Sequence, residues 1–338
     1  MRLTAVRGAH FPMIASARGS TAPGSLVSDL SEQDIARLSF YEACFGYALH
    51  AVILEDGHET AAFLPEKAQF EPAGPWDLDA WIETEGALSL HAAQEVMSYF
   101  GTREPLEVRD MSPMIRARAA SALRAAQSRH GRDCFEGTID VQGRERVYAK
   151  FFALDDLKVR HARFDGSMSD VLDRAVFVAA DAAFVLPYDP VRDRVLVIEQ
   201  VRMGLVARGD RTCWHMETIA GRIDAGETPE AAARREALEE AGLEIGAMEL
   251  IGEVYPTSGC STEFFYLYLG SADLHDAAAG RGGLASEDED IRGHLWSFDE
   301  LMQRALSFDL GNAMLLTSAY YLAHHRARLR SEWASATP

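Results

Sequence analysis

The run from Gly221 to Leu243, GRIDAGETPEAAARREALEEAGL, constrains this 338-residue chain more than any other segment. Thr228 followed by Pro229 is a helix start: a hydroxyl that can accept from orphan amides, then a proline whose φ suits the first turn. Gly242 supplies a left-handed stop, so a helix is predicted over Pro229–Ala241. On it Glu236, Glu239 and Glu240 stand at i, i+3 and i+4, which puts three carboxylates on one face. They crowd the last two turns, where the helix dipole is already negative and Lys or Arg would be favoured. Glutamates beside arginines such as Arg234 and Arg235 are ordinarily a solvated, ion-paired face. Here the face costs stability unless a cation neutralises it. Oxygen ligands call for a hard divalent ion, above all Mg²⁺, with Mn²⁺ as the substitute.

The rest of the chain narrows the class. It is long enough for two domains with separate cores. Its net charge of −19 argues against nonspecific binding to nucleic acid or an anionic membrane. No apolar run approaches membrane-spanning length. Arg2 to Ala17 has the outline of a signal peptide, but its apolar stretch is only Phe11 to Ile14 and contains Pro12. Cys44, Cys134, Cys213 and Cys260 are scattered without a CxxC pair, as suits a reducing cytoplasm and no zinc site.

Residues 1 to about 85 alternate short apolar runs, such as Tyr47–Leu54 and Ala61–Leu64, with turn residues, and Ser31–Ala43 has helical spacing. A helical stretch follows from Leu88 to about Gln127. The boundary is expected near His130-Gly131-Arg132, dividing a domain at 1–130 from one at 131–338. Beyond it, Val147–Phe152 pairs with Leu157–Phe164, and buried strands follow at Ala175–Pro187 and Val195–Val201. Further strands are expected near Leu250–Tyr255 and Phe264–Leu269, then a helix over Asn312–Arg328. Strands alternating with few helices predict an α/β (α+β) architecture with a mixed sheet.

Gly221, Glu227, Arg235, Glu236, Glu239, Glu240 and Gly242 follow the spacing G-x5-E-x7-R-E-U-x-E-E-x-G-U. On these positions the segment resembles the Nudix box, with Ala237 where a bulkier aliphatic residue is more usual. The resemblance implies hydrolysis of a nucleoside diphosphate joined to another group. Leu186–Asp193, Ile198–Arg202, Trp214–Gly221 and Ser286–Arg292 extend it to the bacterial ADP-ribose pyrophosphatases, some of them tied to tellurite resistance. That group implies cleavage of ADP-ribose to AMP and ribose 5-phosphate by a homodimer using Mg²⁺, with the strands in 131–175 exchanged between subunits. By that resemblance Glu236, Glu239 and Glu240 are metal carboxylates, and Ala220 offers a backbone carbonyl. Glu289 is the general base, with Glu287 beside it. Phe151 and Arg174 hold the adenine, Arg202 binds substrate, and Glu263 reaches the ribose pocket of the partner subunit. Phe151 in a strand could equally be core, and Arg174 and Arg202 surface ion pairs. The loop Thr257-Ser258-Gly259-Cys260 replaces a proline- and glycine-rich one. Sugar nucleotides and NADH therefore stay open as substrates, as does a sensor built on a silenced site.

The front of the chain is similar to the γ-glutamylcyclotransferase-like fold, through Gly24–Leu26, Leu38-Ser39-Phe40-Tyr41-Glu42 and Gly46-Tyr47. This implies a small α+β barrel in which Glu42 stands at the acid/base position. That family's Tyr-Gly-Ser/Thr-Leu loop has no counterpart, so a structural or dimer-supporting role is expected ahead of γ-glutamyl catalysis.

Overall fold

The computed structural model describes residues 2–15, 19–66, 70–127 and 137–334, without the side chain of Glu287. The chain divides into two compact units, Met1–Cys134 and Phe135–Pro338. The boundary expected at His130–Arg132, and Cys134, lie outside the described residues.

The second unit is built on a mixed sheet. Its strands run in the order Met248–Val254, Phe265–Ser271, Ala182–Asp189, Arg194–Val201, Ile291–Ser297, Arg281–Gly282. Phe265–Ser271 and Ala182–Asp189 are parallel and the other neighbours antiparallel. Trp214–Glu217 and Ile219–Arg222 pair with Arg194–Val201 and Ala182–Asp189 respectively. Alternation along these strands fills both faces. Ala183, Val185, Leu196, Ile198 and Ile219 are fully buried on one face against Ala232, Ala233 and Ala237 of the box helix. Leu186, Tyr188, Val195, Val197 and Trp296 pack on the other against Leu315, Ala319, Leu322 and Leu329 of the helix Ala313–Trp333. Each buried Leu or Ile stabilises the fold by about 1.5–3 kcal/mol. The alanines matter for the site: short side chains let the box helix lie close on the strand Ile219–Arg222, and that closeness brings its glutamates to the sheet.

Ile139–Ala149, Ala153–His161 and Leu172–Val178 form a separate antiparallel sheet of three strands. Two expectations change here. Phe151 and Phe152 sit in the turn between the first two strands rather than within a strand. The run Ala175–Pro187 is also two strands in different sheets, broken at Ala179–Asp181. Both faces of the small sheet are partly exposed, so its apolar period is weak and the sequence pattern misplaces its ends.

The first unit has helices Glu32–Ala43, Ala87–Ser98 and Ser112–Gln127, with shorter turns between. Ser31 and Asp34 form a reciprocal capping box that starts the first of them. With these helices its described strands make an α+β unit of two sheets, Pro12–Ala15/Arg2–Val6/Pro72–Pro75 and Tyr47–Ile53/Glu59–Pro65. Among the described residues no helix is long and apolar enough to cross a membrane.

Candidate active site

The box helix spans Pro229–Ala241, with Thr228 Oγ1 accepting from the amide of Ala231 and Gly242 ending it at φ 63°. Three carboxylates of the segment meet one guanidinium. Arg235 donates from Nε and Nη2 to Glu227 at 3.0 Å each, and from Nη1 to Glu236 at 2.7 Å and Glu239 at 2.9 Å. Its Nη2 also reaches the Arg222 carbonyl at 3.0 Å, which fixes the helix to the strand. This corrects the expectation of an uncompensated face: Arg235 lies one residue before Glu236 and one turn before Glu239, so it claims both. Glu240 is left out. It is 3% exposed, and the partner recorded for its side chain is the amide of Ala220 at 3.2 Å.

The electrostatics follow from that geometry. Burial pushes the Glu240 carboxyl up to about 9, and the negative charges of Glu236 and Glu289 add to the shift. Burial likewise lifts Glu236 to about 7, with Arg235 opposing and Glu239 and Glu289 adding to the rise. Glu217 belongs to the same neighbourhood, because its charge also bears on Glu240. It is 4% exposed and itself pushed upward by burial, with Arg202 opposing. Glu289, on the hairpin between Arg281–Gly282 and Ile291–Ser297, is near enough for its charge to bear on Glu236 and Glu240. Its carboxylate accepts from the Leu284 amide at 3.1 Å, and Asp288 before it turns through φ 55°. Space is arranged with equal care. A Cβ on Gly221 would lie 1.8 Å from Glu236 Oε1, and one on Gly282 would lie 1.8 Å from the carbonyl of Glu240. Among the described residues, no three His, Cys, Asp or Glu side chains already enclose an ion position; Arg235 holds Glu236 and Glu239 aside.

A NUDIX domain model matches residues 179–315. The ADP-ribose pyrophosphatase of Escherichia coli (strain K12) is 37% identical over 196 residues, covering 58% of this chain and 93% of that protein. The chain belongs to the Nudix family. The ADP-ribose pyrophosphatase of Haemophilus influenzae is 32% identical over 197 residues, 58% of this chain and 90% of that protein. A GDP-mannose pyrophosphatase of Salmonella arizonae is 29% identical over 153 residues, 45% of this chain and 78% of that protein.

Around the Nudix box, the remaining residues singled out by the sequence are placed unevenly. Ala220 lies on the strand beside the box helix and gives its amide to Glu240. Arg202 is joined to Glu217, with Nε and Nη2 each 2.8 Å from Oε1. Phe151 is exposed at its turn, with the Arg222 guanidinium 5.5 Å from its ring centroid. Arg174 is exposed and donates to the carbonyl of Asp173 at 2.8 Å. Glu263 accepts from Ser261 Oγ at 3.2 Å, and burial raises its carboxyl. Neither Arg174 nor Glu263 bonds to the carboxylate cluster. The side chain of Glu287 lies outside the described residues. Sequence reasoning missed Glu217 as a group of interest. The only signal was its place in the run Trp214–Gly221, where no spacing rule marks it.

Proposed function

We propose that this Nudix hydrolase cleaves the diphosphate of ADP-ribose to AMP and ribose 5-phosphate, using Mg²⁺, with Mn²⁺ able to replace it. The observation that carries the reading is the convergence of Glu236, Glu240 and Glu289 beside the gap left by Gly221, with the charge of Glu289 raising the carboxyls of Glu236 and Glu240. The donor set fits a hard divalent ion: all its groups are oxygens, and Glu240 has no arginine to neutralise it. Glu236, Glu240 and, once released from Arg235, Glu239 would hold the metal, with the Ala220 carbonyl beside them. A bound divalent ion would neutralise phosphate charge and lower the pKa of an attacking water.

This chain's own residues supply the rest. Arg235 screens the carboxylates from one another until they are needed. The Glu289 hairpin presents a carboxylate that takes the proton of the attacking water, as a mobile loop can once substrate is seated. Arg202 meets the anionic diphosphate. Phe151 offers a face for adenine stacking, with Arg174 as a planar donor and Glu263 reaching the ribose of a partner subunit. The role of Glu263 requires a second copy of the chain. We place the enzyme in the cytoplasm, as its dispersed cysteines suit, with the strands of 131–175 exchanged in a homodimer.

The direct test is turnover of a panel with Mg²⁺: ADP-ribose, a sugar nucleotide such as GDP-mannose, and NADH. Preferred cleavage of ADP-ribose to AMP and ribose 5-phosphate is expected. If ADP-ribose persists while another diphosphate disappears, the substrate assignment is overturned and the hydrolase class stands.

A second reading concerns the front unit, where one observation favours γ-glutamyl chemistry. A cavity of about 550 Å³ is lined by Phe11, Tyr47, Phe70, Trp81 and Arg116, with Glu42 among them. Among the described residues Glu42 makes no side-chain hydrogen bond or ion pair, and burial raises its carboxyl. Release of 5-oxoproline from γ-glutamyl amines by the full chain, lost in Glu42→Gln, would support this. A chain inactive on such amines leaves the front unit as scaffold.

A further inference from the structure

Glu217 is almost as enclosed as Glu240, and it stands close enough for their charges to oppose each other. A carboxylate kept there is costly: desolvation penalises it, and its nearest charged neighbours of the cluster are also negative. A neutral side chain would serve packing better. What offsets the cost is Arg202, which lays Nε and Nη2 on one oxygen, Oε1, at 2.8 Å. The second oxygen, Oε2, accepts from Asn312 Nδ2 at 3.5 Å. Asn312 is itself held, since its Oδ1 caps the long C-terminal helix through the Leu315 amide at 2.9 Å. Glu217 is therefore clamped from both sides, whereas the Arg202 side chain remains 40% exposed.

A guanidinium presents five N–H groups in one rigid plane. Pinning Nε and Nη2 to a buried, tethered carboxylate fixes that plane and leaves Nη1 outside the pair with Glu217. A long arginine on a surface strand end would otherwise lose rotamer freedom on meeting an anion. We propose that Glu217 is a positioning residue: it holds Arg202 with a free edge ready for the phosphates of the substrate. This rests on the diphosphate hydrolysis proposed above.

Steady-state kinetics on the full chain with Mg²⁺ test it. Glu217→Gln keeps the shape and removes the charge; KM for ADP-ribose should rise about 10-fold while kcat stays within about 3-fold, the pattern of lost uniform binding. Arg202→Ala should do the same, and the double variant should be no worse than Arg202→Ala, because the two act as one unit. Arg202→Lys should not rescue, since an ammonium cannot be held by one edge and offer another. The thermal midpoint of Glu217→Gln should match or exceed the parent. An unchanged KM overturns the proposal. So do additive losses in the double variant, or a fall in kcat that tracks a lowered melting temperature. If the parent cleaves a different diphosphate, only the substrate assignment fails, and the same variants are read on that substrate. If it cleaves none, both fail.

Discussion

Glu42 in the front unit and Glu240 in the rear unit are both enclosed carboxyls pushed above the ordinary range by burial. Their company differs. For Glu42, loss of water is the cause, and its cavity is walled by aromatic rings. For Glu240, three further carboxylates, Glu236, Glu289 and Glu217, add their charges to the desolvation. A lone buried acid answers its cost by keeping a proton. A group of them in one place can answer it by sharing a cation. The raised pKa alone says nothing of function; the number of like charges around it separates the two units.

Four experiments would break or sharpen that contrast. Glu240→Gln should lower kcat by about 1,000-fold or more, as loss of a metal carboxylate does, while the melting temperature holds or rises because a desolvated charge is gone. Retained turnover would remove Glu240 from the chemistry. Gly221→Ala comes next. The new Cβ must displace the Glu236 carboxylate, whose Oε1 would lie 1.8 Å away, and turnover should fall by about 10- to 100-fold, because misplacement by an ångström costs that much. Full activity in this variant would mean that the position of Glu236 is unimportant.

The third experiment uses pH. Glu236 and Glu240 have folded-state values raised to about 7 and about 9, above the ordinary glutamate value. The folded form thus binds more protons than the unfolded chain between those limits, and stability should fall as pH rises from about 4.5 to about 9, on the order of a few kcal/mol. Mg²⁺ should restore stability more at pH 8.5 than at pH 5, which melting curves with and without the ion would show. A flat, ion-independent profile would contradict the cluster. The smallest effect is expected in the front unit: Glu42→Gln should leave diphosphate turnover unchanged and stability within about 1 kcal/mol of the parent, by calorimetry. Any loss of hydrolysis there would mean that the two units are coupled.

Local chemistry was what the sequence could show. Thr228, Pro229 and Gly242 act within a few residues of themselves, so the limits of the box helix follow from them alone. Ser31 and Asn312 announce the helices of the two units in the same way. Three features depended on partners distant in the chain. Arg235 reaches Glu227 and the Arg222 carbonyl only once the helix lies on its strand. Glu217 acquires meaning from Arg202, 15 residues away, and Asn312, 95 residues away. The break at Ala179–Asp181 is invisible because the sequence stays apolar on both sides of Asp181 while the chain changes sheets.

Gly221 is not among the residues with positive φ. Its missing carbon serves as a mould rather than a bend: the emptiness above the strand has the outline of a neighbour's carboxylate. Grafting the acidic helix onto another scaffold would therefore fail unless the recipient strand brought the same vacancy, however faithfully the helix itself were copied.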